Sequence, residues 1–398
     1  MSPSRPAAPS AGKRPLVRIA DLRGSVRLAV DGVQGVTHIA EGLHGNIARL
    51  APPLGTVAPR PAGGIAGFVY RTVRGTSGLV GLGLDALLAG VQRMLQQPAE
   101  GDATVGEGPR RQAILAALNG VLGDHLARTG NPLAIPMELV VRGPPRPRVL
   151  LLVHGLCMSD GQWLRGGHDH GTSLARSLDC TPVYLRYNSG RHVSQNAAEL
   201  AAKLQELVAR WPMPLESLAI VGHSMGGLVA RSAVRQALEA GMAWPGLLRK
   251  MVFLGTPHQG AALERAGNWL HTVLGVSPYL APFSRLGRLR SDGITDLRHG
   301  NLLESDWRSG RFAHRDTRTP VALPQGVACY AIAGALGKGR DPSWGDGLVS
   351  VASALGRHPR ATHDLHLPAS RTWVARGVHH LDLLASEAAC RKMRVWLS

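Results

Sequence analysis

Cysteine is scarce in this chain. Four cysteines, Cys157, Cys180, Cys329 and Cys390, are spread over 398 residues without a CxxC pair. That count and spacing exclude a disulfide framework of the small secreted kind, so free buried thiols are expected. Acidic residues are also few: 27 Asp and Glu stand against 45 Lys and Arg, a formal charge of +18. The basic excess is mostly arginine, spread along the whole chain with no aromatic-interleaved basic run. Nucleic-acid binders cluster their charge on one element, so no nucleic-acid partner is expected. A solvated basic surface and contact with anionic membrane lipid both stay open. No apolar run reaches the roughly 18 residues that a membrane-spanning helix needs. The opening "MSPSRPAAPSAGKRPLVRIADLRGSVRLAV" lacks the apolar core and cleavage site of a secretory signal. The expected compartment is the cytoplasm, with the inner membrane face as the alternative. Aromatic residues are sparse while glycine and proline are abundant, which points to many turns and close backbone contacts. Hydrophobic content of 44% still supports a sizeable core and excludes a disordered chain.

The chain changes texture near residue 136. Residues 1–15 are rich in Pro, Ser and Ala and read as disordered. Helix-like periodicity follows over 16–50, then a Pro/Gly-rich break over Ala51 to Gly64. The glycine-dotted apolar stretch Ile65 to Leu95 reads either as a helical cap or as an interfacial membrane segment. A further helix is predicted over Arg110 to Arg128. Residues 1–135 therefore form a helical N-terminal extension. From there, short apolar strands alternate with amphipathic helices: "MELVVRG", "RPRVLLLVHG", "TPVYLRYN", "LESLAIVGHS", "KMVFLGTP", "GVACYAIAG" and "RTWVARG" are strands. The continuous run Val149 to Val153 suits a strand buried on both faces. Helices are expected over Ser194 to Trp211, Met225 to Gly241 and Leu381 to Leu397. Strand–helix alternation of this kind implies a mostly parallel, doubly wound α/β sheet over 136–398. An insertion of about 261–324 reads as a lid or cap.

The strongest motif is "IVGHSMGGLVA", which contains G-x-S-x-G centred on Ser224. A strand precedes it and a helix follows, as a serine displayed at a sharp strand-to-helix turn requires. The helix also directs its positive end at that serine. A nucleophilic serine needs backbone N–H donors for the oxyanion. Met225, directly after Ser224, supplies one, and Leu156 in "LLVHGLCMSDGQW" is the candidate for the other. His154 reads mainly as a structural loop residue. With Tyr187, it is also a candidate to line the substrate groove, and Asn188 and Arg191 are weaker candidates there.

These stretches, together with "FLGTPHQG", "GDGLVS" and "HLDLL", resemble the α/β-hydrolase superfamily. Within it they resemble bacterial lipases and GPI inositol-deacylase-like hydrolases. The resemblance covers about residues 147 to 398 and leaves the first 135 residues unexplained. It implies an α/β-hydrolase fold and a serine hydrolase acting on a hydrophobic acyl ester, with no cofactor. A thioesterase or acyltransferase would use the same groups. A membrane-surface or scaffold protein built on this fold is the reading from a different class.

The acid must lie between serine and histidine in chain order. Asp346 in "GDGLVS" matches the family position, with Asp341 as the local competitor and an ordinary Asp-Gly turn as the plainer reading. The base comes from the doublet His379-His380. Neighbours in an extended chain point apart, so only one of the two reaches Ser224. The family's His-Leu-Asp pattern assigns the role to His380. In several such lipases the aspartate at the position of Asp382 helps hold calcium. The second carboxylate that this needs is absent from Thr317 to Arg340, so no metal is expected there. The cluster His168, Asp169 and His170 invites a metal reading, but no third remote ligand is evident and a loop at the site rim is preferred. His258 in "GTPHQG" reads as structural.

Overall fold

A computed structural model describes residues 20–31, 109–261, 291–308, 316–337 and 345–398. Two compact units emerge. One comprises Met1–Arg111 with Asn131–Leu133, the other Gln112–Gly130 with Ala134–Ser398. Within the first unit, residues 20–31 form a helix whose Gly24 carbonyl accepts from Asn131 Nδ2 at 3.0 Å. Asp21 of that helix pairs with Arg111. The rest of the expected 16–50 helix and the whole apolar stretch 65–95 lie outside the described residues. Among the described residues, no helix is long and apolar enough to cross a membrane.

The expected boundary at residue 135 shifts. Helix α1, Pro109–Arg128, belongs from Gln112 onward to the second unit. Side-chain bonds hold it there: Asn119 Oδ1 accepts from Ile135 N–H at 2.9 Å, and Ser291 Oγ donates to the Gly120 carbonyl at 2.6 Å. A linker reading of the sequence cannot see such contacts between distant residues.

The second unit is built on seven strands: β1 Glu138–Val141, β2 Arg148–Val153, β3 Thr181–Arg186, β4 Ser217–His223, β5 Leu248–Leu254, β6 Ala328–Ala335 and β7 Thr372–Arg376. Their order is β1-β3-β2-β4-β5-β6-β7. Only β1 runs antiparallel to its neighbour; the other pairs are parallel. This is the α/β-hydrolase fold. Strand β2, paired on both edges, is buried from Val149 to Val153, as its unbroken apolar run requires. Leu150 and Leu152 face one side with Tyr184, Val221, Val252 and Ile332. Against that face lie Leu174 of helix α2, His170–Leu178, and Met393 and Trp396 of helix α5, Glu387–Leu397. Helices α3, Val193–Arg210, and α4, Met225–Glu239, pack on each other.

Two local expectations are corrected. The closing helix does not begin at Leu381. A short 3₁₀ turn covers Leu381–Leu384, and α5 starts only after Ser386, whose hydroxyl accepts from Ala389 N–H at 3.2 Å. A serine that caps a helix start competes with continuing the turn before it. Likewise, the stretch around His168 is not a rim loop: it enters α2 at His170, with Asp169 as cap.

Much of the expected insertion, residues 262–290 and 309–315, lies outside the described residues. The described part returns to the start of α3. Asp296 accepts from Val193 N–H at 2.8 Å and lies 3.0 Å from His192 Nδ1, while Trp307 stacks on His192 at 3.8 Å. The residue preceding α3, His192, makes no cap bond of its own. A carboxylate from elsewhere in the chain therefore satisfies the helix start.

The crossing from β4 to α4 is the tightest place in the fold. A Cβ on Gly222 would stand 2.6 Å from Gly227 Cα, and one on Gly226 would stand 2.5 Å from the His154 carbonyl oxygen. Both obstacles are backbone and cannot swing aside. Gly226→Ala should therefore cost about 1–3 kcal/mol of stability. Urea unfolding checks this, and an unchanged midpoint would contradict the packing argument.

Candidate active site

Ser224 occupies the turn between β4 and α4 with φ 52° and ψ −127°. Few non-glycine residues tolerate this region, and a strained serine of this kind marks a displayed side chain. Its N–H donates to the Leu254 carbonyl at the end of β5 (2.9 Å), and its carbonyl accepts from Gly227 N–H (3.0 Å). These bonds fix the backbone on both sides of the hydroxyl. Ser224 lines a cavity of about 190 Å³ together with His380, Gly155, Leu156, Cys157 and Met158. Leu164, Leu348, Leu381 and Leu384 add apolar wall, and Gln162 and Arg165 add polar rim.

The histidine doublet is split by burial: His380 is buried and His379 exposed. His380 Nδ1 lies 2.7 Å from Asp346 Oδ2. The other carboxylate oxygen accepts from Leu348 N–H at 3.0 Å and Val349 N–H at 2.8 Å. The backbone joins the same two residues, His380 N–H donating to the Asp346 carbonyl at 3.1 Å. Asp346 thus closes a tight turn and holds His380 at once. Flanking Gly345 and Gly347 take φ values of 60° and 96°, which the turn requires. With Nδ1 donating to the carboxylate, Nε2 of His380 keeps its lone pair for a proton acceptor's role. The competitor Asp341 lies outside the described residues.

Leu156 lines the cavity that holds Ser224, and Met225 opens α4 directly after Ser224. Among the described residues no acceptor takes either N–H. The next donor along, Cys157 N–H, is bound to Ser189 Oγ at 3.0 Å. Cys157 has φ 60°, so both the donor loop and the serine turn are conformationally strained. Gly155 lets that loop lie on the serine: a Cβ there would sit 2.9 Å from Ser224 Cβ. Beneath the loop, Asp160 is clamped by Arg186 at 2.8 Å and Arg142 at 2.9 Å. Burial would raise its carboxyl, but the paired arginines outweigh this and hold it below the usual range.

His154 and Tyr187 do not line this cavity, which corrects the expectation that they touch substrate. Both are buried, their rings stack at 4.3 Å, and Tyr187 OH donates to the His154 carbonyl at 2.8 Å. They support the end of β2 from below. Asn188 is likewise buried, its Nδ2 donating to the Gly123 carbonyl at 2.8 Å, and Arg191 pairs with Glu199. His258 is buried against Arg231 at 3.1 Å, as a structural residue should be. Asp382 is exposed and pairs with Arg165 at 3.3 Å.

Two contacts were not read from the sequence. His223, the variable residue of the serine motif, is buried with Nε2 3.2 Å from the His380 carbonyl oxygen. His170 Nε2 lies 2.8 Å from the Leu383 carbonyl, bracing the segment that carries His380. Adjacency to Ser224 could have flagged His223; nothing local could have flagged His170.

A family profile described as "Domain of unknown function (DUF7379)" matches residues 130–281. No curated protein matches the chain. Among solved structures, the mature lipase BlEst2 of Bacillus licheniformis is similar at 18% identity and TM-score 0.42, covering 66% of this chain and 98% of its own. A Pyrococcus furiosus esterase aligns at 13% identity and TM-score 0.40, covering 66% of this chain and 86% of its own. YbtT, a type II thioesterase of the yersiniabactin pathway, in its S89A form, aligns at 18% identity and TM-score 0.40, covering 65% and 96%.

Burial has a consequence for acid stability. It lowers His154 and His170 each to about 4, and it holds His223 and His258 well below the ordinary histidine range. In the unfolded chain histidine titrates near about 6.5. Between those values the unfolded state binds more protons than the folded one. Stability is therefore full above about pH 6.5 and falls as pH drops toward 4, by several kcal/mol in sum. The Tm should decline steadily from pH 7 to 4.5, before most carboxylates titrate. A flat Tm across that window would contradict the buried neutral histidines.

Proposed function

We propose that this chain is a serine carboxylic-ester hydrolase acting through an acyl-enzyme. The observation that carries the reading is the buried 2.7 Å contact of His380 Nδ1 with Asp346, on a histidine that shares one cavity with a strained, displayed Ser224. In the proposed reaction Ser224 Oγ attacks the ester carbonyl carbon while His380 Nε2 takes the hydroxyl proton. Asp346 stabilises the resulting imidazolium and fixes its orientation. Negative charge gathers on the former carbonyl oxygen, where the Leu156 and Met225 N–H groups receive it. Collapse of the tetrahedral intermediate breaks the bond to the leaving alcohol, which takes the proton from His380. Water then repeats the sequence on the acyl-enzyme, releasing the acid and restoring Ser224.

The wall of Leu156, Met158, Leu164, Leu348, Leu381 and Leu384 supports a hydrophobic acyl group. The rim arginine Arg165 is paired with Asp382, so it offers little net charge to an anionic acyl chain.

A fluorophosphonate probe and a chain-length series of acyl esters test the proposal. Ser224→Ala should lose labelling and ester turnover together; wild-type turnover in that variant would sink it. His380→Ala should lower kcat by about 10⁴-fold or more, because nucleophile and base act as a unit. His379→Ala, at an exposed position, should keep most of the activity. Equal losses in the two histidine variants would overturn the assignment of the base.

A further inference from the structure

The pair His168 and His170 lacked a third ligand in the sequence; the fold supplies one. His168 sits on a two-residue hairpin closed by Gly166 and Gly167, with φ values of 57° and 78°. Positive φ at both positions is what such a tight turn needs. Asp169 then caps α2, accepting from Thr172 N–H at 3.0 Å and from Tyr184 OH at 2.7 Å. This places His170 at the buried first position of the helix. Its Nε2, 2.8 Å from the Leu383 carbonyl, must carry the proton. Nδ1 therefore bears the lone pair, and it faces His168 Nε2 at 2.8 Å. One ring N–H held by a carbonyl fixes the tautomer of a metal-ligating histidine, and here the lone pair on the other nitrogen meets His168 Nε2 in a hydrogen bond that an ion between the two rings would replace. Across from the pair, α5 brings in Cys390, and the three ligand atoms all lie within 4.8 Å of one another. A surface cavity lined by His168, Ser173 and Cys390 gives a path from solvent.

We propose that His168 Nε2, His170 Nδ1 and Cys390 Sγ bind one soft divalent cation of the Zn²⁺ class, with the fourth position open to water. A nitrogen–nitrogen–sulfur set suits that ion, with bonds of about 2.0–2.1 Å to nitrogen and 2.3 Å to sulfur. Tetrahedral binding needs the two nitrogens about 3.3 Å apart, and the half-buried hairpin residue His168 can make that small shift. The thiol loses its proton to solvent as the sulfur–metal bond forms, and His168 carries its remaining proton on Nδ1. Arg176, Arg391 and Arg394 also line the cavity. All three are exposed, so water screens their repulsion, and Glu387 pairs with Arg391 at 3.4 Å. The ion would tie the hairpin, α2 and α5 together, and through His170 it would brace the Leu383 segment.

The test uses the full chain, freed of any affinity tag and stripped with EDTA. Zn²⁺ is titrated against a chromogenic chelator, and Co²⁺ is followed optically. Wild type should take up one tight equivalent. His168→Ala and Cys390→Ser should each bind about tenfold or more weakly, with far-UV circular dichroism confirming that both remain folded. The Co²⁺ form should show a thiolate charge-transfer band that Cys390→Ser lacks and His168→Ala weakens. Equal Zn²⁺ uptake by wild type and both variants, or a Co²⁺ spectrum without the thiolate band, would overturn the site. Should Cys390→Ser fail to fold, His168→Ala together with the wild-type Co²⁺ spectrum still decides the question.

Discussion

The close approach of backbone to backbone beneath Ser224 is the constraint from which the rest of the site follows. Gly222 and Gly226 leave no room for a side chain between β4, α4 and the end of β2. That contact goes with positive φ at Ser224, and the loop at Gly155 lies directly over the serine. The positive end of α4 then points to the same spot. Strain in the turn is held in place by ordinary backbone bonds to β5 and to Gly227. The geometry of the Ser224 turn is thus a consequence of sheet packing.

A second set of bonds holds His380 at the wall of the cavity that Ser224 also lines. Asp346 and His380 are joined by a side-chain and a backbone contact, which tie together two segments 34 residues apart. Around them lies a layer of buried histidines. His223 reaches the His380 carbonyl and His170 reaches the Leu383 carbonyl. Burial keeps both neutral near pH 7, so each can donate through one nitrogen without placing another charge beside the imidazolium that His380 would become. The same layer links the proposed serine chemistry to the proposed metal site, since His170 belongs to both networks.

Much of the fold was legible because its signals are local. All seven strands were visible as short apolar runs, and the Ser224 turn as glycines at fixed spacing before a helix. Asp346 was singled out by the family resemblance, and its two glycines marked the turn it closes. Other features were illegible for the opposite reason. His154 and Tyr187 sit in motifs that border the site, yet stack beneath it; sequence gives nearness along the chain but not which way a ring turns. α1 looked like part of an extension because its bonds to Ile135 and Ser291 join distant residues. Ser386 delays the start of the closing helix, since its capping hydroxyl outweighs an otherwise continuous apolar period.

The sequence by itself determined the fold class, because that follows from periodicity, and it set out Ser224 in its strand-to-helix turn by motif spacing. The choice of Asp346, and of His380 within the doublet, came from the family resemblance. Only the tertiary structure decided which histidine is buried, what Asp346 holds, and that Cys390 stands beside His168 and His170. Those facts depend on side chains meeting across the sheet and between helices. Such meetings join residues from 34 to more than two hundred positions apart, which no local pattern records.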